Sequence, residues 1–207
     1  MTPRSRLVLP FAAGVASWSA AEYGLHRFAM HELRGRGLAS REHLAHHADV
    51  TYFSPTSKKL LSAATTSAVA YPVAVAVTAR SRARAFVAGL IAMYFGYEVL
   101  HRRAHTHPPR TAYGRWLRRS HLHHHFGAPM RNHGVTSPIW DRAFGTYEPP
   151  GTVTVPRRMA PVWLLAADGS VRPEFAADYV VKVGRVRDGA QADRDRRDAF
   201  ANRAPQA

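Results

Sequence analysis

Three uncharged stretches limit what this chain of 207 residues can fold into. Residues 60–79 carry no charged side chain and are long enough to cross the hydrocarbon core of a bilayer. Residues 7–21 and 85–97 are shorter, and each reaches spanning length only if it continues through one acidic residue, Glu22 or Glu98. We therefore predict three membrane spans, near residues 7–25, 60–79 and 84–101.

Two alternatives to these spans remain open. The first stretch follows Arg4 and Arg6 and ends in Ser-Ala pairs, a pattern that a cleaved signal peptide also shows. The two shorter stretches are compatible with buried core helices of a soluble protein as well. Cleavage of a signal peptide would leave His26 and His31 on a loose terminus, so we favour the membrane spans.

The basic residues indicate an orientation and a location. The formal net charge is +15, and most of the 29 Lys and Arg residues lie on the side of the predicted spans that carries the histidines. The positive-inside rule then predicts a multi-pass protein of the cell membrane with its histidines facing the cytoplasm. The same charge raises the idea of a nucleic-acid partner. Because no zinc-finger spacing or RNA-binding motif accompanies it, we predict no nucleic-acid binding.

Ten of the thirteen histidines fall into four short motifs. In a helix, residues at i, i+3 and i+4 share a face, so three of the motifs would each direct their imidazoles to one side. The residues of the first motif are five apart and lie on different faces of an ideal α-helix, so we predict that this turn unwinds or bulges. The motifs are His26-x4-His31, His43-x2-His46-His47, His101-x3-His105 and His121-x2-His124-His125.

The two halves of the chain repeat this arrangement, since Glu22 and Glu98 each stand about one helical turn before the first histidine of a half. Two sets of five imidazoles are what a dinuclear metal site needs, so we predict all ten motif histidines as metal ligands. Glu22 and Glu98 are predicted to orient ligand histidines through the second ring nitrogen, with a structural Glu–Arg pair as the equal alternative. His123 points away from its triad and is predicted not to be a ligand, while His107 and His133 are unassigned.

The donor set restricts the chemistry but does not select the metal. The chain has no cysteine, which excludes a thiolate zinc site and an iron–sulfur cluster. Imidazole alone suits zinc, iron, copper and nickel. Zinc has no redox chemistry, so an oxygenase built on these ligands would need iron or another redox metal.

The four motifs and the segment Asn132 to Thr146 (NHGVTSPIWDRAFGT) resemble the fatty acid hydroxylase and sterol desaturase superfamily. The resemblance covers roughly residues 22–147, and the order of spacings is most similar to the fatty acid (ceramide) 2-hydroxylases. It implies an all-α fold, an integral membrane helical bundle with a cytosolic histidine-rich helical cap. It also implies two iron ions, with zinc in an isolated or inactive form, and hydroxylation of a lipid, most simply a fatty acyl chain, with O₂ and external electrons.

Other functions stay open beside this one. A sterol or carotenoid hydroxylase or desaturase of the same superfamily would use similar motifs. A histidine-rich membrane protein that binds or transports metal would place its ligands along a path through the membrane, whereas these gather at one face. An oxygenase would need a separate electron donor, a ferredoxin, cytochrome or flavoprotein reductase, because no dinucleotide-binding motif is present. We predict that this donor docks around Arg115, Arg118 and Arg119, with anionic lipid headgroups as their alternative partner.

The composition predicts three regions along the chain. Residues 1–6 form an N-terminal tail, and residues 7–149 form the membrane domain. Residues 150–207 form a C-terminal extension that we predict to be partly disordered, because residues 185–207 are charged and poor in large apolar side chains.

Overall fold

A computed structural model describes residues 5–182 of the chain, and within this range most residues are helical. A π-helix, Leu25–Glu32, continues directly from the first α-helix. The α-helices are α1 (Ser5–Gly24), α2 (Leu38–Ala48), α3 (Thr56–Val77), α4 (Arg80–Thr106), α5 (Ala112–Phe126) and α6 (Ile139–Ala143). Two short strands, β1 (Val153–Pro156) and β2 (Tyr179–Lys182), pair in parallel with Val153 opposite Tyr179, so the predicted all-α class omitted a small sheet.

Two of the described helices, α3 and α4, are long and apolar enough to cross a membrane by length and composition. The outer side of α3 exposes large apolar side chains, with Val73 65% and Val77 83% exposed in the isolated chain. Such a surface suits contact with lipid. The first helix, α1, does not meet the same criterion, because Trp, Ser and Glu residues lower its hydropathy. A third span therefore stays a prediction.

The helices α1 and α4 cross with their backbones in direct contact at two glycines. A Cβ atom on Gly14 would lie 1.9 Å from the carbonyl oxygen of Phe86, and one on Gly89 would lie 2.1 Å from that of Phe11. Small residues at a crossing let helices approach this closely in membrane proteins. The contact fixes the end of α1, with the first histidine motif after it, against the half of α4 that carries the third motif.

The histidine motifs gather at one end of the helices. The first motif lies in the π-helix after α1 and the second in α2, the third is at the end of α4, and the fourth is in α5. The tight turn between α3 and α4 lies at the opposite end of both helices. Trp18 packs between Tyr94 and Tyr97, with ring centroids 5.3 and 5.5 Å away, and so forms part of the core that joins α1 to α4.

Residues 151–182, here called the C-terminal segment, are folded and carry a second hydrophobic core. The core packs on the outer side of α5 through Leu122, whose side chain is completely buried. Its other buried members are Val153, Val155, Trp163, Leu164, Phe175 and Tyr179. The predicted extension thus includes a folded part, because the apolar residues of this segment are enough for a small core, and the predicted disorder concerned residues 185–207. Residues 183–207 lie outside the described residues, as do residues 1–4 of the predicted tail.

Replacing Gly89 with alanine should destabilise the protein. The added methyl group would meet the backbone of α1, and the two helices would have to separate. Gly96→Ala in the same helix is the matched control, because its nearest neighbour is the flexible Met93 side chain at 3.6 Å and alanine favours a helix by about 1 kcal/mol. Thermal unfolding of the detergent-purified proteins should show a lower Tm for Gly89→Ala alone. Equal Tm values would contradict the close crossing.

Candidate metal centre

The ten histidines of the four motifs form two groups of five buried imidazoles, and in each group the five candidate ligand atoms lie within 4.8 Å of one another. His107, His123 and His133 belong to neither group. Group one contains His26, His31, His43, His47 and His124, and group two contains His46, His101, His105, His121 and His125.

Each histidine triad is divided between the two groups. His43 and His47 belong to group one while His46 belongs to group two, and His124 is separated from its neighbours in the same way. The cause is helical geometry, because a residue at i+4 lies about 40° past a full turn and a residue at i+3 about 60° short of it. The repeat in the sequence suggested that each half of the chain supplies one set of ligands. In the structure, His46 of the first half instead joins the histidines of the second half, and His124 of the second half joins those of the first.

The π-helix brings His26 and His31 into the same group. Its wider turn closes hydrogen bonds from i to i+5, so residues five apart lie nearly above one another. Both imidazoles are 1% exposed. The prediction that this turn must unwind or bulge is therefore confirmed.

The ring nitrogens within each group are spaced as ligands around an ion would be. The Nε2 atoms of His26 and His43 are 3.0 Å apart, and those of His105 and His121 are 2.8 Å apart. Metal–imidazole bonds of about 2.0–2.1 Å place ligands at right angles about 3 Å from each other. The two groups therefore fit one metal ion each.

Backbone carbonyls fix the tautomer of three of these imidazoles. The Nδ1–H groups of His26, His124 and His46 donate to the carbonyl oxygens of His133, Arg131 and Tyr52, at 2.5, 2.7 and 2.8 Å. Each Nε2 atom then holds a lone pair that faces the other nitrogens of its group, an arrangement that a cation stabilises. Burial also lowers the pKa of His46 to about 4, which keeps this imidazole neutral and able to bind a metal.

The two acids of the internal repeat, Glu22 and Glu98, have partners other than histidine. The Glu22 carboxylate accepts hydrogen bonds from the backbone N–H of Thr136, at 2.8 Å, and from its hydroxyl group. Glu98 forms an ion pair with Lys59, at 2.5 Å. Neither pairing is the predicted contact with a ligand imidazole, and neither is a Glu–Arg pair. Glu22 acts on the centre less directly, by tying α1 to the segment that supplies the His133 carbonyl.

Asp141 is a functional residue that the sequence analysis missed. Its completely buried carboxylate accepts hydrogen bonds from the backbone N–H groups of His133 and Gly134, at 2.9 and 2.7 Å, and from the Thr146 hydroxyl at 2.7 Å. This grip fixes the peptide whose carbonyl orients His26. The available signal was that Asp141 is the sole acidic residue between His125 and Glu148 in the sequence.

The three remaining histidines have separate environments. His133 is completely buried beside group one, with its ring centroid 5.4 Å from that of His26 and 5.6 Å from that of His124. His133 therefore packs against group one without belonging to it. The His123 ring lies 3.0 Å from the Glu148 carboxylate, on the far side of α5 from the centre, and His107 is exposed.

A cavity of about 390 Å³ reaches both groups. His26 and His43 of group one and His46 and His101 of group two line it together. The other lining residues come mainly from α1, α3 and α4, and they include apolar and aromatic side chains as well as two ion pairs. They include Trp18, Leu61, Thr65, Tyr94 and Tyr97, and the ion-paired Glu42, Lys58, Lys59 and Glu98.

The three arginines predicted as a docking face for an electron donor are engaged within the protein. Arg118 is 7% exposed and donates to backbone carbonyls at the end of α4. Arg115 and Arg119 form ion pairs with Asp178 of the C-terminal segment, at 3.4 and 3.1 Å. Arg115 and Arg119 stay partly exposed in these ion pairs, so docking of an electron donor at this face stays a prediction, while Arg118 is buried in contacts between segments.

Comparisons with known proteins agree with this geometry. A family model described as fatty acid hydroxylase matches residues 11–146. The dihydroceramide fatty acyl 2-hydroxylase FAH2 of Arabidopsis thaliana is 28% identical over 148 residues, which cover 70% of this chain and 62% of that protein. The ceramide very long chain fatty acid hydroxylase SCS7 of Saccharomyces cerevisiae is 32% identical over 144 residues, which cover 66% of this chain and 37% of that protein.

A solved structure has a similar fold. It is described as full-length scs7p with only the hydroxylase domain visible, and it matches with a TM-score of 0.57 and 29% identity over 72% of this chain and 59% of that one. The present chain thus spans 62% of the length of the plant relative it matches.

Replacing Asp141 with asparagine should loosen group one. In asparagine, an NH₂ group replaces one of the two accepting oxygens, so a donor would face a backbone N–H group or the Thr146 hydroxyl. Losing a buried hydrogen bond to a charged group costs about 1.5–3 kcal/mol. We expect a lower free energy of unfolding and faster release of one metal ion to a chelator. Asp168→Asn, in an exposed turn, is the control and should change neither quantity. Unchanged metal release in Asp141→Asn would contradict the role of this carboxylate.

Neighbouring histidines on α5 provide a second test of the ligand set. His124→Ala removes a group-one imidazole and should lower the metal content by about one ion per chain, because a site with one ligand fewer holds its metal more weakly. His123→Ala removes an imidazole outside both groups and should leave the metal content unchanged. Metal analysis of the purified variants measures both, and equal metal content in the two would contradict the assignment.

Proposed function

Because the chain belongs to the fatty acid hydroxylase family, we propose that it is a membrane-bound non-haem diiron oxygenase that hydroxylates the acyl chain of a lipid. The observation that carries this proposal is the pair of five-imidazole groups that border one cavity. The reaction consumes O₂, two electrons and two protons, and it converts a C–H bond into C–OH with release of water. The plant relative named as a fatty acyl 2-hydroxylase favours the carbon next to the acyl carbonyl as the position of hydroxylation.

The two groups would hold one iron ion each through their Nε2 atoms. Iron bound there would supply the redox chemistry that zinc lacks, and zinc in these ligands would give an inactive form. The chain itself keeps the imidazoles neutral by burial and aims three of them through backbone carbonyls. These contributions orient the ligands before a metal binds.

The cavity would bind the acyl chain and keep water away from it. Apolar and aromatic side chains of α1, α3 and α4 line it, including Trp18, Leu61 and Tyr97. A lining of this kind is suited to lipid and protects a reactive centre from side reactions with water. The Lys58–Glu42 and Lys59–Glu98 ion pairs in the same lining offer polar contacts to the headgroup.

The membrane arrangement and the electron donor belong to this proposal as well. We place the histidine end of the helices in the cytoplasm, at the cell membrane, in a domain of residues 7–149. Its support is the excess of basic residues on that side and the two helices that are long enough to span. A ferredoxin, cytochrome or flavoprotein reductase would supply the electrons, and the partly exposed Arg115 and Arg119 of α5 offer it a basic docking face.

Product analysis tests the proposed reaction. In a host of defined lipid composition that also expresses a redox donor, the protein should produce lipids with one added oxygen, which mass spectrometry of the acyl chains detects. His47→Ala removes a proposed ligand and should abolish the product, whereas His107→Ala, which changes an exposed histidine, should retain it. The purified protein should contain two iron ions per chain.

Other outcomes would redirect the assignment. Oxygen added to a sterol or carotenoid, or loss of two hydrogens, would overturn the acyl hydroxylation. Two bound metal ions without any lipid product in a host with an active donor would favour a metal-binding or transport protein. Full activity of His47→Ala would contradict the proposed centre.

A further inference from the structure

The end of α4 has carbonyl groups that the helix itself cannot satisfy. A helical carbonyl accepts from the N–H group four residues later, and Pro108 has no N–H to offer Ala104. The indole N–H of Trp163, in the C-terminal segment, donates to the Ala104 carbonyl at 3.2 Å instead. Ala104 directly precedes His105, a member of group two. Trp163 therefore caps the turn that carries a candidate ligand.

Arg118 of α5 completes this cap. Its guanidinium donates to the carbonyl oxygens of His107, at 2.8 Å, and Arg103, at 2.9 Å, and it lies 5.9 Å from the centre of the Trp163 ring. Arg118 is nearly completely buried, so these contacts are shielded from water. The last turn of α4 is thus held jointly by α5 and by the C-terminal segment.

The same segment fixes α5 from outside. Leu122, the residue after His121, is completely buried in the core of the C-terminal segment, in which Trp163 lies edge-to-face with Phe175 at 5.1 Å. Asp178 pairs with Arg115 and Arg119, and so holds the first half of α5 to β2. One side of α5 therefore faces the centre and the other is covered by this segment.

Group two depends on packing more than group one does. In group two, His46 donates to the Tyr52 carbonyl, but the buried Nδ1 atoms of His105, His121 and His125 have no hydrogen-bond partner among the described residues. In group one, His26 and His124 both donate to carbonyls. A ligand imidazole is normally oriented by a bond through its second nitrogen. For these three histidines, the helices that carry them must provide the orientation.

We infer that the C-terminal segment positions the metal ligands of group two, with Trp163 as the positioning residue that fixes His105 through the end of α4. The inference rests on the proposed function, since it assumes that each group holds one metal ion. The matched family region ends at residue 146, so this positioning is carried by residues outside it.

Metal release from each group separately tests the inference. His43→Ala disables group one and leaves group two to be measured, and His101→Ala does the reverse. Loss of contacts that orient metal ligands typically weakens metal binding about 10–100-fold. Adding Trp163→Ala should therefore accelerate chelator-driven metal release from group two by at least about tenfold and leave release from group one unchanged. Trp163→Phe keeps an aromatic side chain, although a smaller one, and loses the N–H donor, so it should restore part of the retention. Val162→Ala, at an 86% exposed neighbour, should match the parent.

Several results would overturn the inference. Unchanged release from group two would show that Trp163 has no positioning role, and equal acceleration from both groups would show a general loss of stability. If Trp163→Ala does not fold, Asp178→Asn breaks the ion pairs to α5 and the same selective loss is expected from it. A parent protein with fewer than two bound metals would overturn the proposed function itself, whereas two metals without a selective effect of Trp163 would overturn this inference alone.

Discussion

The buried imidazoles of the two groups face one another at hydrogen-bonding distance, and the rest of this structure depends on keeping them there. Burial lowers the pKa of His46, so this ring stays neutral, and the Nδ1–H groups of His26, His46 and His124 already donate to carbonyls. The Nε2 lone pairs of these three rings face other ring nitrogens at 3.0–3.1 Å, an arrangement that a cation between them stabilises. Helices, loop and C-terminal segment are all arranged to keep these rings in place.

The two groups reach this arrangement by different means. Group one is oriented by polar contacts from one loop, in which Asp141 grips the peptide of His133 and Glu22 holds Thr136. Group two lacks such contacts at three of its rings, and its helices are fixed by packing against a separate core. Hydrogen bonds restrict ring rotation directly, while packing restricts it only as far as the helices are immobile. Substitutions far from the centre should therefore affect group two more than group one.

Spacing in the sequence predicted which histidines come together better than it predicted how they divide into two groups. The ten motif histidines and the bulged turn at His26 follow from which residues share a helical face. His46 and His124 join the other group because residues at i+3 and i+4 point in directions about 100° apart around the helix axis. Which group each direction meets is set only when the four histidine-bearing elements are positioned around the centre. The roles of Asp141 and Trp163 depend on contacts between distant segments, and no local pattern encodes them.

The arginines of α5 are another case in which the fold gives residues a use that the composition does not predict. A net charge of +15 suggests a surface for an anionic partner, and Arg115, Arg118 and Arg119 form a basic cluster on α5, a helix with motif histidines. In the folded protein, these guanidinium groups bind Asp178 and the carbonyls at the end of α4. Arginine suits this use because its five donors form a planar fork that satisfies several acceptors at once. The residues that first suggest an external partner therefore also stabilise the scaffold of the centre.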